Sequence, residues 1–408
     1  MNTNEDETPM QEREVGGALR GIRIVDVSAV LAGPYCSQML GDHGAEVIKV
    51  EPPAGDATRL FGPPYMPDGK SAYYTGINRN KKGICVDLST EKGQQVLVDL
   101  LRSADVLIEN FKAGTMERWG LGYEDTLSTQ FPGLVYCRIT GFGTDGPLGG
   151  LPAYDAVLQA YGGLMSVNGE ADQEPLRVGV PIVDLVTGML AFSGILLALH
   201  ERMSSGKGQL VDCTLLDTAI SLLHPHSASW LADGQVPRRT GSAHPSIAPY
   251  DNFATPAGPF FVGAGSDRQF EALVAVLGRP DLARDERYAT NEVRVVHVES
   301  LRETLAALIW NWDRDVLGAE LLKAGVPAMP VNDVSQAVMS PQALHRQMLV
   351  EMEDYRGVGV PIKLSGSPGS VRIPPPAKGA DTYSVLTEAG YDPTTIGTLI
   401  AQGVLHVD

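Results

Sequence analysis

The stretch GIRIVDVSAVLAGPYCSQMLGDHGAEVIKVE, residues 21–51, decides the fold. Residues 22–27 and 46–51 are short apolar runs typical of buried strands. Residues 34–45 between them carry apolar side chains at helical spacing, with a glycine as stop signal. A strand, a helix and a second strand in this order predict a parallel pair joined by a crossover helix, because parallel strands cannot be connected by a short hairpin.

The same alternation of strand-like and helix-like segments continues through the first half of the chain. Four further segments carry it: residues 83–89, 90–104, 106–111 and 134–140. We therefore predict an α/β fold with a large Rossmann-like domain built on an open parallel sheet. Because ligands bind at the carboxyl ends of the strands in such sheets, we expect contacts from the loops after Val27, Phe111 and Thr140.

Composition marks where the chain changes from one domain to the next. Residues 227–257 are rich in Gly, Pro and Ser, which is typical of a boundary, and strand-like and helix-like segments resume at residue 258. The predicted organisation is a flexible tail (1–17), the N-terminal part of the large domain (18–215), a linker (216–240), a small α+β domain (241–328), and a linker with a C-terminal segment that returns to the large domain (329–408).

The chain of 408 residues carries a formal net charge of −17. This charge argues against nucleic acid and anionic membrane surfaces as partners. The longest apolar run, residues 185–200, is shorter than the roughly 20 residues that span a membrane. The polar, acidic N-terminus has no apolar segment and does not resemble a signal peptide. We expect a cytoplasmic protein that binds neither nucleic acid nor membranes.

Cofactor and metal motifs are weak in this sequence. The four cysteines are far apart and form no CxxC pair, which predicts buried thiols in a reducing compartment rather than a zinc site. His224, His226 and His244 stand without carboxylates or cysteines at ligand spacing, so we predict no metal. GFGTDG, residues 141–146, matches a dinucleotide-binding pattern, but Pro147 follows where a helix should open. A tight glycine loop is the better interpretation.

One carboxylate, Asp184, stands in the otherwise uncharged run VGVPIVDLVTG, residues 178–188. A long apolar helix is predicted to follow and to end near Arg202, so Asp184 is either its N-cap or a reactive group. A helix N-terminus favours the ionised carboxylate, which is the form that acts as a nucleophile. Asp155 has the same two interpretations, as a cap or as part of a pocket. Arg118 is either a surface charge or a phosphate contact.

Eight segments of the chain together resemble the class III CoA-transferase family, which includes formyl-CoA and carnitine CoA-transferases and α-methylacyl-CoA racemase. The resemblance covers residues 18–405, and the combination of segments is specific although no single one is sufficient. The segments are GIRIVDVSAVLAGPYCSQMLGDHGAEVIKVEPPAGDATR, NRNKKGICVDL, DVLIENFKAGTMERWGLGYE, YCRITGFGTDGP, PAYDAVLQAYGGLMSVNGE, VGVPIVDLVTG, SSGKGQLVD and GADTYSVLTEAGY.

This resemblance implies a fold, an assembly and a site. The large domain is expected to be built from both chain ends around a small middle domain, and two subunits are expected to interlock as a homodimer. Asp184 is the catalytic residue by matching position, and coenzyme A is implied as a cosubstrate, with no permanently bound cofactor. The CoA contacts implied by matching position are Val30, Leu31, Ala32, Asn110, Phe111, Arg118, Tyr154 and Asp155.

Departures from other branches of the family narrow the implied reaction. Racemases of the family have a His–Asp pair where this chain has Tyr154 and Asp155, and a tyrosine side chain, which ordinarily ionises near pH 10, is a poor replacement for a histidine base. This favours a transferase. Formyl-CoA transferase has a glutamine where this chain has Leu31, and a four-glycine loop that this chain lacks, so oxalate and formate are not the expected acids.

Two positions that contact CoA in the family are also changed. A frequent arginine is replaced by Pro52, and a frequent lysine by Ser89. Phosphate groups at the adenine end must then be held by other cations. The candidates are Lys81, Lys82 and Lys112.

The loop GSAHPSIAPYDNF and three other segments resemble the family members that move CoA between succinyl-CoA and dicarboxylic acids such as glutarate. This implies transfer from succinyl-CoA to a small dicarboxylate through an aspartyl-CoA thioester on Asp184. His244, Ser246 and Tyr250 of this loop are expected to close the acyl pocket. The candidate partners of the distal carboxylate are Arg239, Arg177 and His244.

Two alternative functions stay open from the sequence. The first is an acyl-CoA racemase, an isomerase, or an intramolecular CoA transferase acting on a branched or unsaturated acyl-CoA. The second is a non-enzymatic acyl-CoA-binding protein that keeps the fold. Retention of Asp184 between Gly179 and Gly188 argues against the second.

Overall fold

A computed structural model describes residues 16–352 and 355–407 of the chain. These residues divide into two compact units. The first unit comprises residues 16–162, 179–222 and 341–407, and the second comprises residues 163–178 and 223–340. The predicted flexible tail, residues 1–17, lies outside the described residues except for its last two.

The described residues form short strands alternating with helices. The strands are β1 (Arg23–Asp26), β2 (Glu46–Glu51), β3 (Lys81–Val86), β4 (Val106–Glu109), β5 (Val135–Thr140), β6 (Leu210–Thr214), β7 (Tyr250–Thr255), β8 (Gly258–Gly263), β9 (Ala328–Pro330), β10 (Leu349–Met352), β11 (Tyr355–Val358) and β12 (Leu405–His406).

The α-helices of the described residues are α1 (Ala32–Asp42), α2 (Ala72–Ile77), α3 (Glu91–Leu101), α4 (Thr115–Arg118), α5 (Ser128–Gln130), α6 (Asp155–Tyr161), α7 (Leu164–Val167), α8 (Ile182–Ser205), α9 (Leu215–Ser221), α10 (His226–Asp233), α11 (Asp267–Val276), α12 (Asn291–Val296), α13 (Val298–Ile309), α14 (Arg314–Lys323), α15 (Val334–Val338), α16 (Pro341–His345), α17 (Thr382–Glu388) and α18 (Pro393–Ala401).

The first unit is built on a sheet with the strand order β12-β3-β2-β1-β4-β5-β6. Strands β1 to β6 pair in parallel, and β12 pairs antiparallel to β3 at one edge. The predicted α/β fold with a large, mostly parallel sheet is confirmed. The order runs outward in both directions from β1 and β4, so the crevice between the carboxyl ends of these two strands is the usual ligand position.

Burial explains why the sheet forms. Strands β1, β4 and β5 are buried along almost their whole length, as expected of parallel strands covered on both faces. Apolar side chains of α3, α17 and α18, which include Leu97, Leu386 and Ile396, complete one core on the sheet. The C-terminal part of the chain therefore shares this core and the sheet edge at β12.

Several predicted element boundaries differ from the structure. The strand expected over residues 83–89 is β3, which ends at Val86 because the Asp87 side chain accepts the backbone N–H of Ser89 in a turn. The strand expected over residues 106–111 ends at Glu109 because Asn110 pairs with a neighbouring loop. Helix α1 begins before Pro34, since a proline in the first turn loses no intrahelical hydrogen bond.

The second unit has its own small sheet and core. Strands β7, β8 and β9 form an antiparallel sheet, and helices α11, α13 and α14 supply buried apolar side chains against it. Residues 216–240, which we expected to be a linker, carry most of α9 and all of α10. Residues 163–178 also belong to this unit, which composition did not indicate.

Helix α8 is the longest apolar helix of the described residues. It has 24 residues and meets the length and composition of a membrane span, which is weak evidence because core helices of soluble proteins meet them too. Less than half of its most apolar window is buried within the chain.

Candidate active site

A cavity of about 380 Å³ lies in the first unit at the carboxyl ends of β1, β4 and β5. This is the crevice that the strand order singles out. The predicted loops after Val27, Phe111 and Thr140 all contribute to its wall. The lining includes Ala29, Val30, Leu31, Ala32, Asn110, Phe111, Lys112, Gly141, Tyr154 and Asp184.

Most of the predicted CoA contacts line this one cavity. Val30, Leu31, Ala32, Asn110, Phe111 and Tyr154 do so together with Asp184. Asp155 is buried and does not line the cavity, and Arg118 lies on α4, where it is exposed and donates a hydrogen bond to Thr115 Oγ1 in its own turn. Their roles in CoA binding stay predictions.

Asp184 is the third residue of α8 and does not cap that helix, which corrects one of the two interpretations of its sequence. The N-cap is Pro181, which makes no side-chain cap hydrogen bond. The cap comes from Asp155 instead. Its Oδ1 accepts the backbone N–H groups of Val183 at 2.8 Å and of Asp184 at 3.1 Å.

Asp155 also does not cap its own helix. The N-cap of α6 is Tyr154, and Asp155 is the first helical residue. Its Oδ2 accepts a hydrogen bond from Gln159 Nε2 at 2.7 Å. Asp155 is only 7% exposed. Both of its carboxylate oxygens accept hydrogen bonds, one from α6 and one from the start of α8. The sequence predicted that Asp155 could cap the helix that follows it. Asp155 does cap a helix, but the helix is α8 and not α6.

The environment of Asp184 favours a protonated carboxyl more than the sequence suggested. Burial, and then the nearby charge of Asp155, raise the pKa of Asp184 to about 7. We expected the helix N-terminus to keep the group ionised, but desolvation and a like charge outweigh a helix-dipole effect of about 0.3–1 kcal/mol. Asp184 is therefore a basic carboxylate that titrates near neutral pH.

A second helix begins at the same cavity. The N-cap of α1 is Leu31, which has no polar side chain and makes no side-chain cap hydrogen bond. Helix α1 packs closely on α8 because residue 188 is a glycine. A Cβ added at Gly188 would lie 2.7 Å from the carbonyl oxygen of Ala32. The starts of α1 and α8 are therefore held side by side.

Two of the three lysines proposed for phosphate binding already form hydrogen bonds or ion pairs with other groups of the protein, which corrects the prediction. Lys81 is fully buried, and its Nζ donates to Pro34 O and Asn78 Oδ1, both at 2.8 Å. Lys82 forms ion pairs with Glu46 at 2.8 Å and Glu388 at 3.1 Å. Lys112 is exposed and lines the cavity, so it is the lysine of the three that is placed to meet an anion there.

A second cavity of about 240 Å³ adjoins the first and shares Ala29 and Phe111 with it. Pro52 and Ser89, the two positions that depart from the family, both line it. Among the described residues that line it, the one cation is Lys49, which is paired with Asp56 at 2.9 Å. Phosphate binding by a free cation within this cavity is therefore not indicated.

The residues expected to close the acyl pocket lie together in the second unit. Ser246 donates its backbone N–H to His244 Nδ1 at 3.1 Å, and the rings of His244 and Tyr250 meet edge to face at 5.5 Å. Arg239, a candidate for the distal carboxylate, donates to the backbone carbonyls of Glu170 and Gln173. Arg177 lies in the same unit. The contribution of these residues to the acyl pocket stays a prediction.

The remaining predicted motifs are simple in the structure. Residues 141–146 form a loop with positive φ at Gly143 and Gly146, as expected of a glycine loop, and Gly141 lines the cavity. Within residues 16–352 and 355–407, no group of three or more His, Cys, Asp or Glu side chains has the arrangement of a metal site. The four cysteines form no disulfide bond in the described residues, and Cys36, Cys85 and Cys137 are buried.

Sequence reasoning missed the buried charges beneath the cavity. Lys49 lies in the apolar strand EVIKVE and Asp56 follows in the next loop, and both side chains are fully buried. The signal was present, because a lysine in a strand buried on both faces must find a partner.

Comparison with known proteins places this geometry in a family. Residues 19–382 match the family model described as CoA-transferase family III. The chain is 41% identical over 382 residues to a succinate–glutarate CoA-transferase of Agrobacterium fabrum strain C58, covering 91% of this chain and 95% of that protein. It is 38% identical over 397 residues to a succinyl-CoA:glutarate CoA-transferase of Homo sapiens, covering 95% and 90%.

The fold agrees with a solved structure as well. A crystal structure of a CAIB/BAIF family protein from Brucella suis superposes with a TM-score of 0.84 at 40% identity, covering 92% of this chain and 100% of that chain. The chain belongs to CoA-transferase family III. It is an enzyme that transfers CoA between acids, and CoA thioesters are its substrates, as the resemblance implied.

Proposed function

We propose that this enzyme moves CoA from succinyl-CoA to a small dicarboxylic acid such as glutarate, through an aspartyl-CoA thioester on Asp184. One observation carries the proposal. Among the described residues that line the cavity at the sheet switch point, Asp184 is the only carboxylate. The names of the two relatives described above support the choice of succinyl-CoA and glutarate.

The proposed reaction begins when the Asp184 carboxylate attacks the thioester carbonyl of succinyl-CoA. The CoA thiolate leaves, and a mixed anhydride of Asp184 and succinate forms. The thiolate then attacks the aspartyl carbonyl of the anhydride, which releases succinate and leaves the aspartyl-CoA thioester. Because every intermediate is an activated acyl group, the thioester energy is retained as long as water is excluded.

The acceptor acid completes the cycle by the reverse sequence. Its carboxylate attacks the aspartyl-CoA thioester, expels the CoA thiolate and forms a second mixed anhydride. The thiolate attacks the acceptor carbonyl, so the new acyl-CoA forms and the Asp184 carboxylate is regenerated. A raised pKa of about 7 suits the attack on succinyl-CoA, which is the step in which Asp184 is the nucleophile, since a more basic carboxylate is a stronger nucleophile once it is deprotonated.

The covalent mechanism is tested by trapping. The enzyme is incubated with succinyl-CoA and quenched with hydroxylamine or borohydride, and the peptide that contains Asp184 is examined by mass spectrometry. We expect modification of Asp184 alone, and loss of transfer in Asp184→Ala. Asp217→Ala is a matched control, since Asp217 is also the third residue of a helix but is exposed and lies outside the cavity lining. Normal turnover of Asp184→Ala would refute the mechanism.

The competing function is racemisation or isomerisation of an acyl-CoA. Tyr154, at the position of the racemase histidine, lines the cavity and is 70% exposed. A tyrosine there favours transfer over proton abstraction. The alternative predicts that solvent deuterium enters the α-carbon of an acyl-CoA without any acceptor acid. A matrix of CoA donors with glutarate, mesaconate and oxalate as acceptors distinguishes the reactions and identifies the preferred acid.

We also propose that the enzyme is a homodimer. Helices α6, α8 and α9 of the first unit present large apolar side chains to solvent, which is typical of an interface. Leu197→Glu, at a position 70% exposed on α8, should convert the dimer to a monomer in light scattering. Val296→Glu, at an apolar position of α12 that is 78% exposed, is the control. The exposed residues are Val157, Tyr161, Met189, Leu190, Leu197 and Ile220.

A further inference from the structure

The segment that connects β1 to α1 contains a strained residue at the cavity wall. Val30 lines the cavity and has a φ of +69°. This left-handed backbone is rare for a β-branched side chain because its Cβ crowds the neighbouring carbonyl. Strain of this kind persists only where surrounding contacts over-determine the conformation. The contacts of the segment show what holds it.

Asp26, the last residue of β1, and Asn110, which directly follows β4, hold the first part of the segment. Asp26 Oδ1 accepts the backbone N–H of Ser28 at 3.0 Å. Asn110 pairs with Ala29 through two hydrogen bonds, accepting its N–H at 2.9 Å and donating to its carbonyl at 2.7 Å. The side chain of Asn110 thus forms the two hydrogen bonds that the backbone of a neighbouring strand would form, just after β4 has ended.

The buried ion pair between Lys49 and Asp56 holds the rest. Lys49 Nζ lies 2.9 Å from Asp56 Oδ2 and donates to the carbonyl of Ser28 at 3.1 Å. Asp56 Oδ1 accepts the N–H of Val30 at 3.4 Å and the N–H of Thr58 at 2.9 Å. The pair therefore forms hydrogen bonds to the backbone on both sides of Ala29, to the carbonyl of Ser28 and to the N–H of the strained residue Val30.

Stability alone is a poor reason for such a pair. Both side chains are fully buried, and a buried ion pair can often be replaced by apolar residues with no loss of stability. An apolar replacement would, however, leave the carbonyl of Ser28 and the N–H of Val30 without these partners. The specific effect of the pair is therefore on the geometry of the cavity wall.

We propose that Lys49 and Asp56 are positioning residues for CoA transfer, and this proposal rests on the reaction proposed at Asp184. Their ion pair holds Val30 in the left-handed conformation. Helix α1 begins two residues later, so the backbone of Val30 sets where its uncapped first turn meets the cavity. A relaxed Val30 would redirect this turn and misplace the wall beside the reacting carboxylate.

The test is a double-mutant cycle between Asp56→Asn and Val30→Gly, with Lys49→Met as a second probe of the pair. Asp56→Asn should lower kcat by about tenfold to a hundredfold with little change in the KM of succinyl-CoA, because a misplaced wall costs interactions made in the transition state. Glycine adopts positive φ freely, so a residue at position 30 no longer needs the ion pair to hold its backbone in Val30→Gly. The kcat and KM of Val30→Gly alone include the loss of a predicted CoA contact, and they serve as the reference for the cycle. In the Val30→Gly background, Asp56→Asn should cost much less.

Asp42→Asn provides the matched control for a merely structural effect. Asp42 forms an equally buried ion pair with Arg79 at 2.7 Å and makes no hydrogen bond to residues 28–30 in the described structure. Its substitution should lower the melting temperature, and Val30→Gly should not rescue any loss of kcat. A rescue specific to Asp56→Asn and Lys49→Met supports positioning. Equal losses in both backgrounds overturn the proposal.

The cycle is read on the overall rate of CoA transfer, which separates it from the covalent mechanism. If wild-type enzyme yields no trapped Asp184, the mechanism proposed above fails, and the rescue by Val30→Gly still decides whether the pair positions the wall. If Asp184 is trapped but no rescue occurs, the mechanism stands and the positioning role is refuted.

Discussion

Helices α1 and α8 begin at the same cavity, but they differ in whether a side chain caps their first turn. The first turn of α8 is capped by a carboxylate from another helix, Asp155. The first turn of α1 has an apolar N-cap, Leu31, and follows a residue held in a strained backbone. The capped helix carries Asp184, the nucleophile that we propose, whereas the N-cap residue of α1 makes no side-chain hydrogen bond to its first turn. We propose from this difference that α8 forms the nucleophilic side of the cavity and α1 its anion-stabilising side.

Removal of the cap on α8 should have the largest effect. Asp155→Ala leaves two N–H groups at the start of α8 without an acceptor, so Asp184 loses its position. We expect kcat to fall by about 100-fold and the free energy of unfolding to fall by about 1–2 kcal/mol. Steady-state kinetics and denaturant unfolding measure the two effects. An unchanged kcat would show that the cap on α8 does not hold Asp184 in its position for the reaction.

Asp155→Asn separates the cap from its charge. An amide oxygen still accepts the two N–H groups, but the like charge beside Asp184 is gone, so the pKa of Asp184 should fall below about 7. Because the carboxylate is the reactive form, the rate should rise with pH through about 7 in the wild type and at lower pH in this variant. A profile of kcat against pH checks the shift. Identical profiles would contradict the assigned cause.

The close contact of the two helices should matter next. Gly188→Ala places a methyl group 2.7 Å from the carbonyl of Ala32, which forces α1 and α8 apart. We expect a loss of about 1–3 kcal/mol in unfolding free energy. Gly397→Ala is the control, since the space around Gly397 in α18 is open, and it should stabilise the protein by up to about 1 kcal/mol. Equal effects would show that helix contact is not the cause.

The raised pKa of Asp184 also predicts a stability that depends on pH. The folded state holds this proton to about pH 7, whereas the unfolded state releases it near pH 4, so the wild type loses stability as pH rises between these values. Asp184→Asn avoids the loss. It should therefore melt above the wild type at pH 8, by a margin that shrinks at pH 5.5. A margin independent of pH would contradict the prediction.

The smallest expected effect concerns the anion-binding side. Lys112→Ala removes an exposed cation from the cavity and should raise the KM of succinyl-CoA by about two- to fivefold. Arg118→Ala should change it less, because Arg118 lies outside the cavity lining. A larger effect of Arg118 would show that the anion extends toward α4. Raising the salt concentration should reduce the difference between the wild type and Lys112→Ala.

The sequence was sufficient to predict which loops line the cavity but not how the groups around it are hydrogen-bonded. Alternating strands and helices predicted the sheet, and the rule for parallel sheets predicted the loops that line the cavity. The identity of the capped helix was not predictable, because Asp155 and Asp184 both stand near predicted helix starts. Only the tertiary structure determines which N–H groups a carboxylate reaches, and here the acceptor lies 28 residues before its first donor.

Lys81 and Lys82 show a second limit of prediction from the sequence. Lys81 and Lys82 are adjacent in sequence, yet one is buried against Pro34 and the other pairs with carboxylates at the surface. Side chains alternate along a strand, so neighbouring lysines face opposite sides of the sheet. Composition counts them as equal candidates for phosphate. Both lysines stand at the start of β3, whereas the cavity lies at the carboxyl ends of the parallel strands, so neither lines it.

The pairing of β12 with β3 has a consequence for the order in which the chain acquires its structure. The ribosome makes residues 223–340 before the residues that supply α17, α18 and β12. Until then the edge of β3 and one face of the sheet core stay open. An unpaired strand edge is a template for aggregation. The growing chain therefore presents such a template throughout synthesis of its second unit, and this is the interval in which chaperone protection should matter most.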